Sequence, residues 1–191
     1  MARGRAAESV GHPFAHRFIL PRVLYYPPLI SGEKNPVMIN NDVLRSLRYM
    51  LNLNNQQLIE ILALMDTRIT PQQIAGFIKK EEEEGYQPCP DILMGTFLDG
   101  LIIRQRGKDD GRPAPKVERR ITNNIILKKL RVAFSLKTTD IQEILQSQDF
   151  RLSQPELTAM LRAPEHKNYR ACGDQVLRYF LKGLTARLRK S

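Results

Sequence analysis

Apolar residues recur at helical spacing, and they do so in two matching series. Val43, Leu44, Leu47, Met50 and Leu51 mark one face of an amphipathic helix; Ile126, Leu127, Leu130 and Phe134 mark another. Asn41 is placed to open the first as an N-cap, with Asn124 as its counterpart. A second helix is predicted from near Asn54, carrying Leu58, Ile61, Leu62 and Met65; the later copy has Ile141, Ile144 and Leu145. The third begins with a capping box: Thr70-Pro71-Gln72-Gln73 in one series, Ser153-Gln154-Pro155-Glu156 in the other. Ile74, Phe77 and Ile78 follow, matched by Leu157, Met160 and Leu161. A fourth helix starts near Asp91 and Asp174, where each aspartate reads as a cap. It buries Leu93, Phe97, Leu98 and Leu101, and later Val176, Phe180, Leu181 and Leu184. Almost no segment carries a strand signal, so the predicted class is all-α.

The two series are one pattern written twice. An ungapped shift of 83 positions carries Asn40-Asn41 onto Asn123-Asn124, Glu60-Ile61-Leu62 onto Glu143-Ile144-Leu145, and Phe97-Leu98 onto Phe180-Leu181. Tyr86, Cys89 and Asp91 return as Tyr169, Cys172 and Asp174. The expected architecture is a tandem duplication of a four-helix, helix-turn-helix-like unit, with repeat 1 at 38–106, a linker at 107–121 and repeat 2 at 122–191. Units of this size bury too little surface to be robust alone, so the halves should share an interface. Gly100 and Gly183 fall at equivalent places inside the fourth helices, where glycine costs about 1 kcal/mol relative to alanine. Their recurrence points to a close helix approach, with a shared turn or kink as the competing reading.

Residues 1–37 belong to neither repeat. They carry no signal-peptide pattern and are expected to be an extension, disordered or upstream of a natural start at Met38. The two cysteines, at equivalent positions, suggest packing residues and a reduced, cytoplasmic setting rather than a disulfide framework. No run of residues is long and apolar enough to predict a membrane span. The net charge of +10 is uneven: residues 122–191 carry +7, whereas residues 38–104 carry −3. An anionic partner for the second repeat is the reading this asymmetry favours.

Candidate chemistry is sparse. No phosphate loop, metal-spaced histidine pair or nucleophile elbow is present, so no enzyme activity, cofactor or metal is expected. His166, Cys172 and Asp174 hold the residue types of a nucleophilic site, but repeat 1 keeps Cys89 and Asp91 while placing Glu83 opposite His166. Packing and capping explain them more simply. The four glutamates Glu81–Glu84 read as a solvated acidic turn rather than a cation site. Tyr169 reads as packing more readily than as a base-stacking group.

Helix two, a short turn and a capped helix three resemble a helix-turn-helix. With Leu47-Arg48, Leu58–Leu62, Ile69-Thr70 and Pro90, each repeat is similar to the lambda-repressor-like DNA-binding domains. That resemblance implies exposed third-helix residues Gln72, Gln73, Gln154 and Glu156 facing base edges. The turns Ala63-Leu64-Met65-Asp66 and Gln146-Ser147-Gln148-Asp149 lack the usual glycine. A closer resemblance covers nearly everything after Met38. Met38-Ile39-Asn40-Asn41-Asp42-Val43-Leu44-Arg45, Thr122–Arg131 and His166–Gln175 are similar to the bacterial YehS-like family, a duplicated domain of unknown function. It implies fold and compartment but no activity.

The expected function is therefore non-catalytic binding of nucleic acid, RNA or DNA, through the phosphate backbone. The expected contacts are Lys128, Lys129 and Arg131 on the first helix of repeat 2, with Lys167, Arg170, Arg178 and Lys182, extended by Arg119 and Arg120. The alternative is a protein-interaction adaptor using the acidic first repeat or an inter-repeat surface. A small-molecule pocket between the repeats is a third reading. The sequence leaves the oligomeric state and the orientation of the repeats open.

Overall fold

Eight α-helices, and no strand, make up the described residues of the computed structural model, which are 38–108, 111 and 118–190. The expectations for residues 1–37 lie outside them. In chain order the helices are α1 (Asn40–Met50), α2 (Asn55–Ala63), α3 (Pro71–Ile78), α4 (Asp91–Arg106), α5 (Asn123–Ala133), α6 (Thr138–Gln146), α7 (Gln154–Met160) and α8 (Asp174–Lys190). Every start in the second set lies 83 residues after its counterpart in the first. Leu47 and Leu130 are both fully buried, as are Leu58, Ile61, Leu101, Ile141 and Leu184.

Local chemistry sets the boundaries. Thr70 Oγ1 accepts from the Gln73 amide at 3.2 Å, while Gln73 Oε1 accepts from the Thr70 amide at 3.0 Å. Ser153 and Glu156 make the same reciprocal pair at 3.4 and 3.1 Å. The turn lacking a glycine is solved by aspartate: Asp66 and Asp149 adopt left-handed backbones with φ of 53° and 56°. Aspartate and asparagine visit this region more readily than other non-glycine residues. Asn52 and Ser135, just past α1 and α5, do likewise at 51° and 53°.

Two expected caps are corrected. The N-cap of α1 is Ile39 and that of α5 is Thr122, so Asn41 and Asn124 lie inside their helices and point into the core. Asp91 follows the N-cap Pro90 and, like Asp174, is the first residue of its helix. The glycine expectation holds in its close-approach form. A Cβ on Gly100 would stand 2.1 Å from the Ile61 carbonyl oxygen, and one on Gly183 would stand 2.5 Å from that of Ile144. Thus α4 packs directly on the backbone of α2, and α8 on that of α6.

The repeats join through the same pair of faces used twice. α4 packs on α5, and α8 packs on α1. Arg106 Nη1 donates to the Val132 carbonyl at 3.2 Å, and its counterpart Arg189 lies 4.0 Å over the ring of Tyr49, the counterpart of Val132. At the other end, Asn40 Nδ2 donates to Asp91 Oδ1 at 2.7 Å, and Ile121 N–H donates to Asp91 Oδ2 at 3.1 Å. Reciprocally, Asn123 Nδ2 donates to Asp174 Oδ1 at 2.6 Å, and Met38 N–H donates to Asp174 Oδ2 at 3.2 Å. Each carboxylate therefore holds its own repeat with one oxygen and, with the second, the backbone leading into the first helix of the other repeat. This reciprocity is the mark of an isologous, two-fold-like interface. It also brings the N-termini of α1, α4, α5 and α8 to one pole, where two carboxylates face the positive ends of the helix dipoles.

Candidate nucleic-acid interface

The connection between the third and fourth helices is where the two repeats diverge, and buried amides fix its path. Asn124, 4% exposed, donates to the Met160 and Arg170 carbonyls, each at 2.8 Å, and accepts from Cys172 N–H at 2.9 Å. Asn41 makes the same three bonds, to Phe77 and Gln87 at 3.0 and 2.7 Å and from Cys89 at 2.9 Å. A single side chain thus ties the end of the third helix to the start of the fourth. The thiols beside these ties are buried. Desolvation first, and then the nearby Asp91 and Asp174 carboxylates, push Cys89 and Cys172 up to about 12. Such a thiol holds its proton and is a poor nucleophile at neutral pH. His166 uses Nδ1 to accept from the Asn168 amide at 3.0 Å. Among the described residues no group of three His, Cys, Asp or Glu would hold a metal ion.

On this shared frame the charge inverts. Repeat 1 places Glu81-Glu82-Glu83-Glu84 where repeat 2 places Pro164-Glu165-His166-Lys167, and Gln87 where it places Arg170. Residues 163–168 are all exposed, as is Arg170. Arg170 N–H donates to the Ala159 carbonyl at 3.2 Å, so the connection folds back against α7. The Arg170 guanidinium pairs with Glu156 on the first turn of α7. Ser153, through its hydroxyl and then its amide, and Arg170 after them hold the Glu156 carboxyl below the usual carboxylate range. Between α7 and the returning chain lies a shallow cleft of about 470 Å³, lined by Gln154, Pro155, Thr158, Ala159, Arg162 and Asn168.

The expected phosphate contacts differ in exposure and in the partners they hold. The three cations on α5 are half-buried and turned to internal partners. Lys128 Nζ donates to the Arg162 carbonyl at 2.6 Å, closing the end of α7. Arg45 does the same for Lys79 in repeat 1, at 2.7 Å. Lys129 pairs with Asp99 of α4, with side chains 14% and 7% exposed. Arg131 Nε donates to the Leu136 carbonyl at 3.2 Å. Arg178 is half-buried on α8, while Lys182, Arg119 and Arg120 are exposed. Only Lys167 and Arg170 sit on the connection that folds against α7. Of the third-helix residues singled out by resemblance, Gln72, Gln73 and Gln154 are exposed, and Gln73 and Glu156 are occupied in their capping boxes.

Arg162, Thr158 and Asn168, which line the cleft, are not among the expected contacts. Alignment of the repeats carried a signal for two of them, since Thr158 and Asn168 replace Ala75 and Gly85.

The family described as "Protein of unknown function (DUF1456)" matches residues 40–107 and again residues 123–190. The uncharacterized protein YehS of Escherichia coli (strain K12) is 61% identical over 150 residues, covering 78% of this chain and 96% of that one. No solved structure matches the chain.

Proposed function

The chain belongs to the DUF1456 family, and we propose that it is a non-catalytic, cytoplasmic nucleic-acid-binding protein acting through its second repeat. The observation that carries this reading is the inverted charge of one connection on a duplicated frame, net −2 over residues 79–87 and net +2 over the matching residues 162–170. Identical interior ties hold both turns, so the inversion serves no shared structural need. Lys167 and Arg170, with Arg162 beside them, are the phosphate contacts. The Arg170–Glu156 pair is solvent-exposed and screened by water and salt, so Arg170 exchanges its carboxylate for a phosphate readily.

The test is the salt dependence of full-length protein binding to labelled RNA and DNA. Affinity should fall steeply with salt, by a log–log slope of about −0.7 to −0.9 for each phosphate neutralised. Lys167→Gln with Arg170→Gln should flatten that slope and leave the melting temperature unchanged. Absence of binding at low salt would sink the reading.

A second reading, a protein-interaction adaptor, draws on repeat 1. Ile92 and Leu64 are 54% and 45% exposed there, where repeat 2 carries Gln175 and Ser147.

A further inference from the structure

The outer face of α7 forms the floor of a cleft, which bears on what kind of nucleic acid it meets. A helix that reads duplex bases must enter a groove about 12 Å wide with its flanks clear. At seven residues α7 is about 10 Å long, and the chain leaving it returns alongside. Ala159 accepts from the Arg170 amide, and Asn168 stands in the lining opposite Gln154 and Thr158. The floor therefore faces a recess and is flanked by the turn that carries Lys167 and Arg170.

The lining has a particular composition. Gln154 and Asn168 each offer an amide able to donate and accept, and Thr158 a hydroxyl that does both. Arg162 supplies a guanidinium, and Pro155 and Ala159 supply apolar surface. The volume of about 470 Å³ falls within the ~300–1,000 Å³ of small-ligand sites. Repeat 1 carries none of the three hydrogen-bonding groups at the matching positions, which are Pro71, Ala75 and Gly85. The cleft chemistry and the basic turn thus occur together, in one repeat only.

We propose that this cleft takes an unpaired nucleotide, with the base edge against Gln154, Thr158 and Asn168 and a phosphate beside Arg162. The second repeat thereby selects single-stranded nucleic acid over duplex. The proposal rests on the phosphate-binding reading above and adds the class of ligand. Paired bases have their hydrogen-bonding edges engaged and stacked, whereas an unpaired base offers its edge to a recess. Among the described residues no aromatic side chain lines the cleft, so discrimination among bases comes from donor and acceptor pattern rather than stacking.

The experiment measures binding of the full chain to a short labelled oligonucleotide of mixed sequence, as single-stranded DNA, single-stranded RNA and duplex DNA, at fixed low salt. Single strands should bind at least about tenfold tighter than duplex, the scale of one good base-edge contact. Thr158→Ala with Asn168→Ala should abolish that margin while leaving duplex binding and the salt slope unchanged. Gln154→Ala, at an exposed position, provides an independent variant should the double substitution disturb the turn. Duplex bound as tightly as single strands, with a steep salt slope, overturns the unpaired-nucleotide proposal and leaves the phosphate reading standing. A single-strand preference indifferent to all three substitutions overturns the assignment of the cleft. Failure of every oligonucleotide to bind removes both readings.

Discussion

The two repeats share most of their interior ties and differ most along their outer turns. Asn41 and Asn124 make the same three bonds, Gly100 and Gly183 admit the same close approach, and Arg45 and Lys128 close the same helix end. On the outside, Glu81–Glu84 correspond to Pro164–Lys167, Ala75 to Thr158, and Ile92 to Gln175. A side chain with buried hydrogen-bond partners has few acceptable replacements, because each partner left unsatisfied costs about 1–3 kcal/mol. An exposed turn carries no such constraint. The interior therefore records the fold, and the exterior is where the two repeats are free to differ.

The comparison breaks first if the buried asparagines are not equivalent. Asn41→Ala and Asn124→Ala should each destabilise the protein by about 3 kcal/mol or more, since each strands two carbonyls and an N–H. Chemical denaturation that finds one of them neutral would show that the ties are not shared. The next test is the glycine pair. Gly100→Ala should cost about 3 kcal/mol and Gly183→Ala somewhat less, because the added carbon meets backbone at 2.1 Å in one and 2.5 Å in the other. Equal, small losses would mean that the helices separate without penalty.

A smaller effect sharpens one place where the interface is asymmetric. Asp99 and Lys129 pair across α4 and α5, while the matching positions, Lys182 and Ser46, hold no pair of opposite charges. Asp99→Asn leaves Lys129 half-buried without its counter-charge and should lower stability by about 3 kcal/mol at most. Ser46→Glu, opposite Lys182, should raise it by less than about 1 kcal/mol. A loss on Ser46→Glu in a thermal melt would show that the two interfaces are not superposable at these positions.

A separate effect appears only in alkali. Both thiols are raised from 9.0 to about 12 by folding, so the neutral thiol is the form the native state favours. Their contribution is complete below pH 9 and is lost as pH rises from 9 towards 12. Replacing either cysteine by alanine should reduce the loss of stability over that window by a similar amount. A reduction confined to one variant would show that the two sites differ in burial.

Much of the fold could be read from spacing, because helices bury one face and the capping boxes sit at fixed offsets. Gly100 and Gly183 signalled the close approach through an otherwise costly residue at matched positions. What failed was the assignment of polar groups whose partners lie on other helices. Lys128, Lys129 and Arg131 occupy the polar side of α5, yet they reach the end of α7, Asp99 on α4 and the Leu136 carbonyl. A helical wheel contains none of these partners, and long cations bury their stems while their charged heads find an acceptor. Asn41 was misplaced for the same reason: an amide at a helix start looks like a cap until the turn it holds is known. Asp66 and Asp149 concealed the left-handed turn position that a glycine would have announced. The cleft over α7 depends on where the 161–173 connection returns, which no local pattern encodes.

The reciprocal joining of the repeats has a consequence for how such a molecule can change. In a dimer of two identical chains, every substitution is made twice, so an acidic turn on one half is an acidic turn on both. Here the two halves are separate stretches of one chain, and each turn is written independently. Glu81–Glu84 and His166–Lys167 can coexist in one particle only because the symmetry is carried by the backbone and not by the gene. The molecule keeps the stability of a symmetric pair and has two faces free to diverge.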